Sequence, residues 1–560
     1  MITKIRNLQP SNPSNEERHI LLKTALKEVN RIDDFDSIVS SLSPPKDITT
    51  IASPKDCKEV KVGIIGGGLA GLSSAFELRK LGFDITIFEM QQNRIGGRVY
   101  THYFDKNKNL YGELGAMRIP ISHESTWHYI DLFKLQTIPF IQTNENAFIY
   151  IRNKRVRNDP KGKNVMKEIY PEFNLTPEEK VTPWQKLIDY ALTDNLLKIN
   201  PSIRKELLHI KKQYPVLIES LDSLSIRDEL KKMNLSEGAI ELISCLIPFL
   251  GAFYNNSYLE NLQEDYSLDS AYRYQIVGGS IKLPLAFYNS LNSKNPKEYS
   301  NIEENNLGKV TFKNGTTVTG IFNDNNKIII EYRCKNSFKK FNKTFDYVIC
   351  TIPFSSLRNV NIYPMFSPEK MQAIKEVNYS SSQKTLFLCN KRFWEKGNDN
   401  EKILGGGSST DLSIESIWYP SYDIKNYDKY NDFGVLLSSY NLGQDALRLG
   451  HLDDNTRFET IKEQVEMVHG LPNKYLDTIV TEFKTITWDK EEGFLGAFCY
   501  FMPNQHTLFS YVMSKPEYNN KVYFAGEHAS SKHGWMQGAL NSGMKSANLI
   551  AKYCKELNSF

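Results

Sequence analysis

One short run limits what this chain can fold into more than any other feature. Gly66-Gly67-Gly68-Leu69-Ala70-Gly71 follows VKVGIIG (60–66), which has the apolar density of a buried strand, and opens a stretch of helical spacing over 69–82. A second buried-strand pattern, DITIFE, occupies 84–89. Strand, glycine turn, helix and strand make a β-α-β unit. Gly66 permits the tight turn, Gly68 lets a pyrophosphate reach the backbone at the helix N-terminus, and Gly71 lets the helix pack closely on the strand. Glu89 ends the second strand 18 residues after Gly71, where an acid accepts hydrogen bonds from the ribose hydroxyls of a dinucleotide. A glycine-rich turn beside a surface acid would account for the letters but not for this context.

The rest of the chain is consistent with a large globular protein. Its 560 residues correspond to roughly three to four domain-sized units. With 40% hydrophobic residues it can bury a core, which excludes disordered and collagen-like chains. A net charge of +4 over this length gives no argument for nucleic acid. The 7 cysteines are scattered, odd in number and form no C-x-x-C pair, so a reducing compartment is the simpler reading. MITKIRNLQPSNPSNEER has no apolar core of a secretory signal, and the most apolar stretch, Ile243 to Tyr254, is too short to span a bilayer and is interrupted by Pro248. It reads as a buried helix. These features lead us to expect a soluble, cytoplasmic protein with no membrane partner.

Along the chain, residues 1–57 read as an N-terminal arm with a helix over Glu16 to Asn30, followed by Pro-rich punctuation. Strand patterns occupy FIQT, AFIYI and KRVR within 140–158. Helical spacing dominates from about 160 to 262. Strands return as KVTF, TTVTGIF, KIIIEYR and DYVICT over 309–352, then as QKTLFLC (383–389) and FGVLLSSY (433–440). The chain closes with the strand KVYFAG (521–526) and a helix after Trp535.

The fingerprint alone does not choose between FAD and NAD. The glycine pair in Arg94-Ile95-Gly96-Gly97-Arg98, flanked by arginines, suits a second diphosphate contact. From here the sequence resembles the flavin amine oxidase superfamily and, within it, the L-amino-acid oxidases. GGRVYT (96–101), ELGAMRIP (113–120), FWE (393–395), Trp488, VYFAGEHAS (522–530) and HGWMQGALNSG (533–543) carry the resemblance, in order, over most of residues 57–556. ELGAMRIP discriminates best, because monoamine and polyamine oxidases need no clamp for a substrate carboxylate.

The resemblance implies a mixed α/β fold: a Rossmann-like FAD-binding domain from discontinuous segments (58–112, 268–352 and 515–560), a mixed-sheet substrate-binding domain (113–159 and 353–514), and a helical domain (160–267). It implies cofactor contacts at Gly66, Gly68, Leu69, Ala70, Gly71, Glu89, Met90, Gly97, Arg98, Gly115, Ala116, Met117, Arg118, Val318, Gly526, Glu527, Gly534, Trp535 and Met536. Arg118 falls where the family holds the substrate α-carboxylate, a task suited to two parallel guanidinium N–H donors. Tyr440 matches the tyrosine that shares that carboxylate, and the Gly534 carbonyl the acceptor of the substrate amine. Trp488 and Trp535 match the aromatic walls, which orient a flat amine and exclude water. Lys384 resembles the lysine bridged through a water to flavin N5, where its charge would also stabilise reduced oxygen.

Two features leave the side-chain preference open. Glu264 and Asp265 stand near the place where members that take hydrophobic substrates carry a histidine, and two acids at the pocket mouth would favour a basic side chain. Phe498, ten residues after Trp488, would favour an apolar or aromatic one. Residues 526–543 contain no cysteine, so FAD is expected to be non-covalent, and no metal is expected. The reaction implied is hydride transfer from Cα to the flavin, hydrolysis of the imino acid to a 2-oxo acid and ammonia, and reoxidation by oxygen to hydrogen peroxide. An amino-acid 2-monooxygenase, an amine or polyamine oxidase, a catalytically lost binding protein and an NAD-dependent dehydrogenase are the rivals. Members of the family are often dimers, which makes a homodimer an expectation.

Overall fold

The run VKVGIIG forms the strand Lys61–Ile65 at the centre of a five-stranded, all-parallel sheet. Its order is Val310–Asn314, Asp84–Glu89, Lys61–Ile65, Tyr347–Cys350 and Val522–Phe524, so three separated stretches of chain supply it. Parallel strands covered on both faces need near-continuous apolar side chains, which is what KVGII, DITIFE and YVIC provide. The computed structural model describes residues 9–189, 194–335, 337–421 and 432–558.

The helix Leu69–Arg79 leaves the central strand with all eleven of its residues buried. The C-terminal helix Met536–Asn558 lies across it, close enough for the Ser73 hydroxyl to donate to Leu540 O (3.3 Å) and the Ser74 hydroxyl to Gly543 O (3.0 Å). A four-stranded sheet packs beside this core, in the order Lys340–Phe345, Lys327–Cys334, Thr316–Asp324 and Asn361–Tyr363. Two of its members depart from the sequence reading. Lys340–Phe345 is a strand without an apolar signal, made by pairing with the hydrophobic neighbour Lys327–Cys334. Asn361–Tyr363, expected in the substrate-binding segment, pairs with Gly320–Phe322 on the nucleotide side.

The larger mixed sheet has seven strands: Val480–Thr487, Ser382–Cys389, Gly434–Leu442, Ser416–Trp418, Gly407–Thr410, Phe148–Ile151 and Lys154–Arg157. All eight residues of Ser382–Cys389 are buried, and strands pair with both its edges. Lys384 pairs directly with Tyr440, which puts both side chains on one face. FIQT does not form a strand; the chain pairs one turn earlier, as Thr137–Pro139 against Arg273–Ile276. That second strand, expected in the nucleotide segment, thus belongs with Ile119–Pro120 and Thr137–Pro139.

Short helices fill most of 163–266. The apolar stretch Ile243 to Tyr254 is not one helix. Glu237–Leu246 ends before Pro248, which disfavours helical geometry in the residue before it, and a four-residue turn, Leu250–Phe253, follows.

The N-terminal segment is integral to the fold, although the first eight residues of the expected arm lie outside the described residues. Asn15–Glu28 is a helix with a Ser14/Glu17 capping box, and Leu22, Leu26, Ile38 and Ile48 are fully buried in the main core. Arg31, 1% exposed, pairs with Asp34 (2.9 Å), which also pairs with Arg204 (3.1 Å), and Arg31 donates to the carbonyls of Asp265 and Tyr266. Breaking a buried pair of this kind costs about 3–5 kcal/mol. Arg31→Ala is expected to lower the thermal unfolding midpoint by several degrees and to expose the segment to limited proteolysis.

Candidate active site

A cavity of about 510 Å³ opens at the carboxyl ends of the parallel strands and continues to the buried sheet that carries Lys384. Ligands in open α/β sheets bind at this edge. Gly66, Gly68, Leu69, Ala70, Glu89, Met90, Gly97, Arg98, Gly115, Ala116, Val318, Gly526, Glu527, Gly534, Trp535 and Met536 line it. So do Lys384, Tyr440, Trp488 and Phe498. Gly71, Met117, Arg118 and Glu264 are not among its lining residues.

The glycine-turn end of the cavity, the nucleotide end of the sequence reading, presents open backbone beside a buried carboxylate. Gly68 caps the helix Leu69–Arg79 without any side-chain hydrogen bond, so first-turn amides face the cavity. A Cβ on Gly68 would meet only the Gly97 Cα, at 3.9 Å, so the backbone is open to a close ligand. A Cβ on Gly71 would stand 2.1 Å from Gly66 O, so this glycine packs the helix tightly against the turn. The second glycine pair does lie against the first: the Gly96 N–H donates to Gly67 O at 2.9 Å. Glu89 is buried and accepts from the Gly67 and Gln91 amides, both at 2.8 Å; burial pushes its carboxyl up against the pull of those bonds. At the far end, Glu527 accepts from Arg98 (2.7 Å) and from the Gly534 amide (2.9 Å). Burial would raise its carboxyl, but Arg98 and the nearby His528 and His533 outweigh burial and hold it below the usual range. These groups fit a dinucleotide that ends beside Gly534.

Beyond Glu527 the walls become aromatic. The Trp488 indole donates to Leu114 O (3.1 Å) and packs edge-on against Phe494 at 5.2 Å. The Trp535 indole donates to Glu264 Oε1 (3.1 Å). The two acids read together in the sequence therefore part: Glu264 serves Trp535, while Asp265 accepts from Asn261 (2.8 Å) and faces Arg31. Helical geometry explains this, since adjacent residues point about 100° apart. They do not form a joint acidic mouth.

Arg118 is the distinctive charge. Its Nε and Nη2 are buried and have no hydrogen-bond partner among the described residues. Its guanidinium lies 4.2 Å from the Trp418 ring centroid, 5.3 Å from Phe140 and 6.0 Å from Tyr440. Burial, with Arg273 nearby, pushes it down to about 9. A buried guanidinium with unused donors is costly unless an anion meets it. Trp418, Phe140 and Phe249 complete this pocket and carry no motif; only their strand and loop positions bring them here. Thr351 was more legible, as the first residue beyond the parallel strand Tyr347–Cys350, and its hydroxyl donates to Ile65 O (2.8 Å).

Lys384 donates to Gly115 O (2.7 Å), with Met117 Sδ at 3.4 Å and the Tyr440 ring centroid at 4.2 Å. This explains Met117, which supports the lysine and does not line the cavity. Burial, then Arg118, pushes Lys384 down to about 7, while Glu113 opposes them. Between that value and the ordinary 10.5 the unfolded chain holds a proton that the folded one has released, so Lys384 makes stability rise with pH. The difference in unfolding midpoint between the unaltered protein and Lys384→Met is expected to shift by about 2–4 °C in favour of the unaltered protein from pH 7 to pH 10.

Among the described residues no helix is long and apolar enough to cross a membrane, and no cluster of metal-ligating side chains occurs. The sequence is 28% identical to L-amino-acid oxidases of Bothrops moojeni and Crotalus adamanteus, over 94% of this chain and 94% and 92% of theirs. The fold is similar to that of a redesigned putrescine oxidase (TM-score 0.65, 16% identity, 88% of this chain and 99% of that one). It is likewise similar to that of cyclohexylamine oxidase from Brevibacterium oxydans (TM-score 0.63, 17% identity, 89% and 99%). The profile of the flavin-containing amine oxidoreductases matches residues 69–551. The open glycine turn, the buried Glu89 and the aromatic chamber thus sit in a flavin-dependent oxidase, and the chain belongs to the flavin-containing amine oxidoreductase family.

Proposed function

We propose that the protein is an FAD-dependent L-amino-acid oxidase that converts an L-amino acid, oxygen and water into a 2-oxo acid, ammonia and hydrogen peroxide. The observation that carries this reading is Arg118: a guanidinium with two buried, unused donor atoms, next to Tyr440 and the aromatic end of the cavity. An amine without a carboxylate would leave that charge uncompensated.

Arg118 receives the α-carboxylate through parallel N–H donors, and the Tyr440 hydroxyl adds a third contact. The Gly534 carbonyl accepts from the substrate amine and turns Cα towards the cofactor. Trp488 and Trp535 flank the reacting carbon and exclude water. Bound FAD supplies the two-electron acceptor for the Cα–H bond and the route onward to oxygen. Lys384 places a positive charge beside the site, where it favours the negative charge that oxygen gains on reduction. Its pH-sensitive charge provides a handle on that step. No cysteine is among the described residues that line the cavity, which supports non-covalent binding.

The test is product identity. The purified yellow protein is incubated with each of the twenty L-amino acids, and peroxide, ammonia and 2-oxo acid are quantified. Equal amounts of the three support the oxidase. Carbon dioxide with an amide one carbon shorter would replace it by the monooxygenase.

A further inference from the structure

Glu415 has no part in the roles above, yet its carboxylate ties together two walls of the substrate end. Oε1 accepts the Phe249 N–H at 2.6 Å, and Oε2 accepts the Leu442 N–H at 2.9 Å. Phe249 opens the short turn Leu250–Phe253 of the helical region, while Leu442 ends the strand Gly434–Leu442 that carries Tyr440. The acid therefore spans two parts of the chain that meet at this site.

Three further observations converge there. Phe249 has φ +77°, a left-handed backbone that a bulky aromatic residue adopts only when its surroundings impose it, and Glu415 itself has φ +56°. The Phe249 ring lies 4.5 Å from the ring of Tyr440. One residue past Leu442, a Cβ on Gly443 would stand 3.1 Å from the Ala252 Cβ, so the strand end and the turn already touch. On the other side of Glu415, Ser416 donates to Tyr440 O (2.8 Å), and Trp418 stacks on Arg118. Among the described residues the Glu415 carboxylate has no ion pair, and two backbone amides are its only hydrogen-bond partners.

We propose that Glu415 is a positioning residue, a latch that fastens the 249–253 turn onto the end of the Tyr440 strand and so closes the aromatic wall beside Arg118. This deepens the reading of Arg118 and Tyr440 as the carboxylate-binding pair and rests on it. Both oxygens of an ionised carboxylate accept, so one side chain holds both amides; burial, against the pull of those two amides, pushes the Glu415 carboxyl up to about 8, so the comparisons below are made at pH 9, where it is ionised. A glutamine of the same size has one accepting oxygen and must turn its NH2 group towards the other amide. Strain at Phe249 then has less to hold it, and the ring leaves Tyr440.

The experiment is hydrogen exchange on the holoenzyme, with Glu415→Gln compared with the unaltered protein. Exchange in peptides covering 247–253 and 440–444 is expected to quicken by about tenfold or more, with the parallel-sheet peptides unchanged. In the same variant KM for a responsive L-amino acid is expected to rise by about five- to twentyfold while kcat stays within about twofold. Phe249→Leu, which keeps the backbone bond and removes the aromatic contact, should raise KM without quickening exchange. Unchanged exchange in both peptides, or a uniform increase over the whole molecule, would overturn the latch. The exchange result judges the latch alone: a protein that oxidises no amino acid but shows the local quickening retains the latch and loses the proposed activity.

Discussion

Arg118→Gln is expected to lower kcat/KM for every responsive L-amino acid by about 10²–10³-fold, mainly through KM, and to leave the flavin content of the purified protein unchanged. Truncating one partner of a buried, hydrogen-bonded charge pair costs about 2–5 kcal/mol, and every 1.4 kcal/mol is about tenfold. The larger part of that loss comes from the substrate carboxylate, which would enter a chamber walled by Trp418, Phe140 and Tyr440 without its direct counter-charge. Flavin content should hold because Arg118 does not line the flavin cavity. Arg118→Lys should recover only part of the loss, since an ammonium offers no parallel pair of donors. Steady-state kinetics together with the flavin absorbance per polypeptide separates these outcomes. An equal fall in kcat with loss of flavin would place Arg118 in the support of the cofactor.

The second large effect distinguishes two glycines that a motif treats alike. Gly68→Ala should fold with a thermal midpoint close to that of the unaltered apoprotein, because its new methyl group meets only the Gly97 Cα at 3.9 Å. The methyl group would nevertheless occupy the space through which a pyrophosphate reaches the helix amides, so flavin affinity should fall by about 10²-fold, or about 3 kcal/mol. Gly71→Ala should instead destabilise the fold itself. Its methyl group would lie 2.1 Å from Gly66 O, and relieving that overlap means parting the helix Leu69–Arg79 from the strand Lys61–Ile65, at about 1–3 kcal/mol or more. Thermal unfolding of the apoproteins, with and without added FAD, reads both terms. Equal destabilisation of the two variants would contradict the assignment of a ligand-facing role to one and a packing role to the other.

Much of the nucleotide end was legible because its signals are local. A glycine turn between an apolar strand and a helix, and an acid closing the next strand, each act within a few residues of themselves. The carboxyl-end rule then predicts where the cavity opens. The substrate end was legible only where a family motif carried it, as in ELGAMRIP and HGWMQGALNSG. Trp418, Phe140, Phe249 and Glu415 reach Arg118 and Tyr440 through tertiary pairing and have no neighbours in sequence that announce them. One misreading has the same origin. Glu264 and Asp265 look like one acidic feature in a line of letters, but the helix turns one towards Trp535 and the other towards Asn261 and Arg31. Residues 1–57 read as an N-terminal arm, and their described part is fixed to the body of the fold by buried leucines and the Arg31–Asp34–Arg204 cluster, contacts with distant segments that no local pattern announces. Lys340–Phe345 shows the limit for strands: its own side chains alternate poorly, and the partner strand supplies the reason to be extended.

The most direct test of the central claim compares peroxide release from paired substrates that differ only in the carboxylate. Each responsive L-amino acid is assayed beside the amine obtained by removing its carboxyl group, and beside its D-isomer, using the purified flavin-bearing protein. The account predicts peroxide from the L-amino acid and at least about 10²-fold less kcat/KM for the decarboxylated amine, the same loss that Arg118→Gln should cause. Comparable turnover of amine and amino acid would contradict it, and would leave the buried guanidinium of Arg118 as a structural charge within an amine oxidase.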